Sequence, residues 1–231
     1  MGYSYVFFDA DNTLLDYDRA EERALSMTLE NLDLEATPEM TRMYREINRQ
    51  VWKEFEEGTM TQVTLRAERF RRFFHTLHLD EDPQGVSAFY LARLGEGNHL
   101  VDGALETVSA LASVCTCCIV TNGLADVQRN RFSLSPLLPL MKGLVISEEV
   151  GSQKPEEGIF QAAMELCGDP EKESVLMVGD SLSSDIQGAL RFGIDACWFN
   201  PKGYSPADGI IPTMEIAALE DLLPLFGLKG F

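Results

Sequence analysis

The chain has 231 residues, 45% of them hydrophobic and 24% charged, enough for one main domain with a sizeable core and room for an inserted subdomain. Its formal net charge of −18 argues against nucleic-acid or anionic-membrane binding, both of which need a basic field. No apolar run approaches the roughly 20 residues that span a bilayer, so the expected partner is neither a nucleic acid nor a membrane.

The N-terminus passes directly into a strand-like run, residues 3–8, with no basic leader or cleavage signal, and a cytoplasmic location is expected. That run ends in Asp9-Ala10-Asp11-Asn12-Thr13. The next stretch, 16–100, has a different texture. Met40, Tyr44, Ile47, Val51 and Phe55 recur at helical spacing, Gly58 is a stop signal, and Phe70, Phe73, Phe74 and Leu77 form a second stripe. No strand pattern interrupts it. An all-helical insertion over 16–100 is therefore expected, with 1–15 and 101–231 forming the main domain. Arg66, Arg69, Arg71 and Arg72 alternate with Glu68 and the Phe stripe and read as a solvated helix face. Tyr44, Trp52 and Phe55 read as core packing, and His75 and His78 as surface.

From there strands and helices alternate. Strands are expected at 115–120, 144–146, 175–178 and 194–199, and helices at 103–113, 124–134, 156–167 and 183–192. This is the pattern of an α/β fold, a doubly wound parallel sheet covered by helices on both faces. The five cysteines are odd in number and three of them crowd into one apolar run, so they read as free buried thiols rather than a disulfide or zinc framework.

Three apolar runs end in chemically useful residues: residues 7–8 lead into Asp9 and Asp11, 119–120 into Thr121-Asn122-Gly123, and 177–179 into Asp180. In parallel α/β sheets ligands bind just beyond the carboxyl ends of the strands, so neighbouring strands would gather these residues on one rim. Asp9, Asp11 and Asp180 are like charges that cannot all ionise unaided, and Asp185 follows five residues after Asp180. Oxygen-only donors suit a hard cation such as Mg²⁺. Lys154 adds positive charge against a phosphate, and Pro155 is expected at the first position of a helix whose N-terminus helps to hold an anion. Taken singly, a strand-end Asp is often a turn residue or cap. Their joint occurrence in this order points to a phosphoryl site.

Asp9-x-Asp11-x-Thr13, Thr121-Asn122-Gly123, Lys154-Pro155 and Gly179-Asp180-x4-Asp185 together resemble the motifs of the haloacid dehalogenase-like hydrolase superfamily, in its phosphatase branch. The resemblance implies a Rossmann-like core with a helical cap. It implies Asp9 as nucleophile and Asp11 as general acid and base, with Thr121 and Lys154 holding phosphate, helped by backbone N–H groups near Asn122. Mg²⁺ would be held by Asp9, Asp11 (through its backbone carbonyl) and Asp180, supported by Asp185. Dehalogenating relatives lack an acid at the position of Asp11, so phosphoryl transfer is favoured here. The wording of the loops at 9–18 and 146–155 is most similar to the bacterial pyrimidine 5′-nucleotidases, which implies a nucleoside monophosphate as the small phosphorylated substrate. A sugar phosphate, phosphoglycolate or another small metabolite, a phosphomutase reaction and a non-catalytic binding role are the alternatives. The oligomeric state is not legible in the sequence.

Overall fold

The computed structural model describes residues 2–206 and 209–230, and they fall into two compact units, Met1–Tyr17 with Asn98–Phe231 and Asp18–Gly97. The first unit is built on six parallel strands: β1 (Tyr5–Phe8), β2 (Thr116–Thr121), β3 (Met141–Ile146), β4 (Val175–Gly179), β5 (Asp195–Phe199) and β6 (Met214–Ile216), in the order β3-β2-β1-β4-β5-β6. The expected doubly wound sheet is present, with β6 as an additional short edge strand.

Because side chains alternate along a strand, each strand feeds two cores. Val6 and Phe8, Cys117 and Ile119, and Leu176 and Val178 pack on one face, against Ala104, Val108 and Leu111 of α5 (Ala104–Ala112) and Leu219, Leu222 and Leu223 near the C-terminus. Phe7, Cys118, Val120 and Met177 point the other way, onto Ile159, Phe160 and Ala163 of α8 (Glu157–Leu166) and onto Ala189 and Phe192 of α9 (Gln187–Phe192). Burial on both faces explains why these strands read as unbroken apolar runs rather than as polar–apolar alternation.

Topology then sets the site. Successive connections step from β1 through β2 to β3, then return to β4 on the opposite side of β1. The winding reverses between β1 and β4, which is where α/β sheets open a crevice beyond their carboxyl ends. The register pairs Phe8 with both Ile119 and Val178, so the chain runs out of the sheet into Asp9, Thr121 and Asp180 along a single edge.

The second unit is helical: α1 (Tyr17–Asn31), α2 (Pro38–Glu56), α3 (Gln62–Leu77) and α4 (Pro83–Leu94). Thr37 and Asp82 cap α2 and α4 immediately before a proline in the first turn, the position where its missing N–H costs nothing. Tyr44, Phe70, Phe73 and Tyr90 form a buried aromatic cluster with ring centroids 5.3 Å (Tyr44–Phe70) and 5.2 Å (Phe70–Tyr90) apart. One residue departs from the solvated face expected for the arginines. Arg69 is 1% exposed, its guanidinium lying 5.9 Å from the Trp52 ring centroid and 5.8 Å from that of Tyr90. The helical period puts it in line with buried Leu65 and Phe73, whereas Arg71 stays exposed and pairs with Glu68.

Candidate active site

Lys154 organises the rim. It lies in the turn between the short α7 (Ser147–Val150) and α8 and is 1% exposed. Its Nζ sits 2.6 Å from Asp9 Oδ1 and 2.7 Å from Asp185 Oδ1, and donates to the Val120 carbonyl at 2.8 Å. Burial alone would push this amine down, but the carboxylates of Asp185 and Asp9 outweigh it and hold the ammonium above its usual range. The helix α8 starts only at Glu157, with Glu156 at its N-cap. Pro155 is therefore not the first residue of a helix, and the expected anion-holding helix start is corrected to a turn that aims Lys154.

Asn122 is what fixes that turn. Its Nδ2 donates to the Lys154 carbonyl at 2.9 Å and its Oδ1 accepts from the Lys154 N–H at 2.8 Å. The Asn122 side chain is thus committed to the backbone of the lysine, which leaves any phosphate contact from this loop to Thr121 and the main-chain N–H groups, the groups expected for it. Thr121 is buried, and its Oγ1 accepts from the Gly123 N–H at 3.1 Å.

Asp180 leaves the end of β4, and its carbonyl accepts from the Trp198 indole at 2.9 Å. A single π turn, Leu182–Ile186, then brings the chain back, so that Asp185 Oδ2 accepts the Ser181 N–H at 3.0 Å. A Cβ at Gly179 would fall 2.2 Å from that same oxygen, so glycine there is a requirement of the close approach. Asp185, expected to support the metal, stands in the carboxylate group itself: oxygens of Asp9, Asp180 and Asp185 lie within 4.8 Å of one another.

Such crowding has an electrostatic cost. Burial, then the neighbouring charges of Asp185 and Asp11, push the Asp9 carboxyl up to about 7 against the pull of Lys154. Burial, Asp9 and Asp185 hold Asp180 well above the usual carboxylate range. A divalent cation among the three would relieve this repulsion without protonation, and three carboxylates with no nitrogen or sulfur donor fit Mg²⁺.

Asp11 stands apart from this trio. Its Oδ1 is ion-paired to Nη1 of Arg131, and its Oδ2 accepts from Gln128 Nε2 at 2.7 Å. Any part it takes in holding a metal falls to its backbone carbonyl. Gln128 Nε2 also reaches Thr121 Oγ1 at 3.1 Å, and a Cβ on Gly123 would strike that amide at 2.2 Å. Sequence reasoning missed both Gln128 and Arg131, which lie 117 and 120 residues from Asp11. Their i, i+3 spacing on the helix expected after Thr121 was the one available signal. The hydroxyl of Thr13, buried, has no partner among the described residues.

A family profile described as haloacid dehalogenase-like hydrolase matches residues 3–193. HAD-hydrolase YfnB of Bacillus subtilis is 35% identical over 99% of this chain and 97% of its own length. Its crystal structure, bound to magnesium, superposes with a TM-score of 0.93 over 99% of this chain and 100% of that one. Pyrimidine 5′-nucleotidase YjjG of Escherichia coli is 31% identical, covering 96% of this chain and 97% of the relative. Pyrimidine 5′-nucleotidase PynA of Streptococcus pneumoniae is 33% identical, covering 96% and 94%.

Proposed function

The chain belongs to the haloacid dehalogenase-like hydrolases, and from that premise we propose that it is a Mg²⁺-dependent phosphomonoesterase that forms a phosphoaspartate on Asp9, with pyrimidine nucleoside monophosphates as substrates. The observation that carries the chemistry is the buried ammonium of Lys154 set 2.6 Å from the Asp9 carboxylate beside two further carboxylates. That arrangement has little use in a site for a neutral ligand and a direct one in a site for a dianion brought in with a cation. The likeness to two pyrimidine 5′-nucleotidases across nearly the whole chain supports the substrate class.

An Asp9 oxygen attacks phosphorus while the ester P–O bond breaks, and the departing oxygen takes a proton from Asp11. Water then attacks the phosphoaspartate and gives its proton to Asp11, and cleavage of the bond from phosphorus to Asp9 releases inorganic phosphate. Lys154 and Thr121 hold the transferring oxygens, and Asn122 holds Lys154. Asp9, Asp180 and Asp185, with the Asp11 carbonyl, would hold Mg²⁺, and the bound ion would supply positive charge against those oxygens, where most of the catalysis of such reactions lies.

Phosphate release from a panel of nucleoside monophosphates and sugar phosphates, with and without Mg²⁺, tests this directly. Mg²⁺-dependent release from pyrimidine monophosphates, abolished by Asp9→Asn, is the expected result. Release from sugar phosphates alone would retain the mechanism and discard the nucleotidase reading. A folded, Mg²⁺-loaded protein inactive on the whole panel would overturn the phosphatase reading.

A further inference from the structure

A fully buried cation pairs with Asp11, a carboxylate outside the trio of Asp9, Asp180 and Asp185. Arg131 is 0% exposed and pairs with Asp11, whose side chain is 28% exposed. Burying a guanidinium is costly unless it is paired and hydrogen-bonded, and the Asp11 carboxylate is an ion-pair partner of this one. Its neighbour on α6 (Ala125–Ser133), Gln128, is 1% exposed and gives one amide nitrogen to both Asp11 Oδ2 and Thr121 Oγ1. Three residues apart on one helix, the two side chains share a face. The Arg131 guanidinium also lies 6.0 Å from the centroid of the Tyr17 ring.

We propose that Gln128 and Arg131 are positioning residues for Asp11, which fix its carboxyl relative to Thr121 so that a proton can pass between Asp11 and the ester oxygen. The inference rests on the phosphomonoesterase reading above. A carboxylate has about four lone-pair sites, and two are occupied here by Arg131 and Gln128, leaving the others to carry or accept the reacting proton. Without the clamp the side chain is free to rotate, and proton transfer depends on its placement within hydrogen-bond reach. Gly123 belongs to the device, because only a residue without a Cβ lets the Gln128 amide pass: an added Cβ would meet Gln128 Nε2 at 2.2 Å and Cγ at 2.7 Å.

A residue that acts through the general acid leaves a kinetic signature that a merely structural one does not. For a two-step enzyme kcat/KM reports phosphoenzyme formation, in which a leaving oxygen of high basicity needs a proton and p-nitrophenolate does not. The experiment compares wild type, Arg131→Met, Arg131→Lys, Gln128→Leu and Gly123→Ala on p-nitrophenyl phosphate and on the best alkyl phosphomonoester of the panel. General acid–base catalysis contributes about 10²–10⁴-fold, so kcat/KM of Arg131→Met should fall about 10²-fold on the alkyl ester and only a few-fold on p-nitrophenyl phosphate. The slowed second step should then appear as a stoichiometric burst of p-nitrophenolate. Arg131→Lys should recover part of the loss, while Gln128→Leu and Gly123→Ala should show the same selective loss in milder form. Should Arg131→Met fail to fold, the two latter variants carry the test. Equal losses on both esters, or no loss, in a wild-type-active background would overturn the positioning role and leave the phosphatase reading intact. Wild type inactive on both esters would overturn that reading, and the inference with it.

Discussion

Asn12 shows how a single residue serves two needs. Its φ is 60°, in the left-handed region, which Asn tolerates better than other residues with a Cβ. Its Oδ1 accepts the Tyr17 N–H at 3.1 Å, satisfying the first orphan donor of α1. Glycine would suit the backbone but make no such bond. Asn12→Gly should therefore cost well under 1 kcal/mol, whereas Asn12→Ala should cost about 1–3 kcal/mol by adding left-handed strain to the lost acceptor. Urea unfolding separates the two, and equal costs would refute this account of the turn. Other residues of the candidate site were legible in the sequence to different depths. Asp9, Thr121 and Asp180 declare themselves because each ends an apolar run, and the run marks the strand end. The use made of Asn122 does not declare itself: its partner is a backbone 32 residues away, and nothing local distinguishes an amide that holds a ligand from one that holds the chain.

Whole elements were legible where their pattern is long. Helices expected at 103–113, 124–134 and 156–167 are found at Ala104–Ala112, Ala125–Ser133 and Glu157–Leu166; the first and third show an apolar face over more than two turns, whereas the second buries Gln128 and Arg131 beside Val127 and Phe132. β6 was not foreseen. It is three residues long, Met214–Ile216, with one of them exposed, and such an edge strand is too short to show a period. The expected helix at 183–192 is a π turn followed by a short α-helix, since returning Asp185 to the strand end demands a wider first turn than α geometry gives. In the helical unit, end signals are strong enough to carry a prediction. Asp82 accepts from the N–H groups of Gln84 at 3.1 Å and Gly85 at 2.9 Å with Pro83 following. Asp82→Ala should cost about 1–2 kcal/mol by leaving two first-turn donors without an acceptor. Asp82→Ser, which restores one, should recover most of it. A thermal or urea transition unmoved by Asp82→Ala would show that α4 is held by packing alone.

At the scale of the molecule, the formal charge of −18 complicates any claim about a metal. Added cations of every kind screen that self-repulsion and stabilise the folded state, so a higher melting temperature in Mg²⁺ is not by itself evidence for a site. The trio of Asp9, Asp180 and Asp185 makes a narrower claim: three carboxylates with oxygens within 4.8 Å gain far more from one divalent ion among them than from a diffuse atmosphere. Ion binding to the native state alone stabilises by about 2.7 kcal/mol at a hundredfold excess over Kd. At constant ionic strength, exchanging NaCl for millimolar MgCl₂ should raise the melting temperature of the wild type by several degrees. Asp180→Ala, which removes a proposed ligand without touching the ion pairs of Lys154, should abolish most of that increment while responding to NaCl as the wild type does. If the Mg²⁺ increment survives in Asp180→Ala, the stabilisation belongs to the surface charge, and the rim carboxylates do not form the metal site. Screening acts on all the acidic residues at once and coordination on these few, so a single substitution tells the two apart.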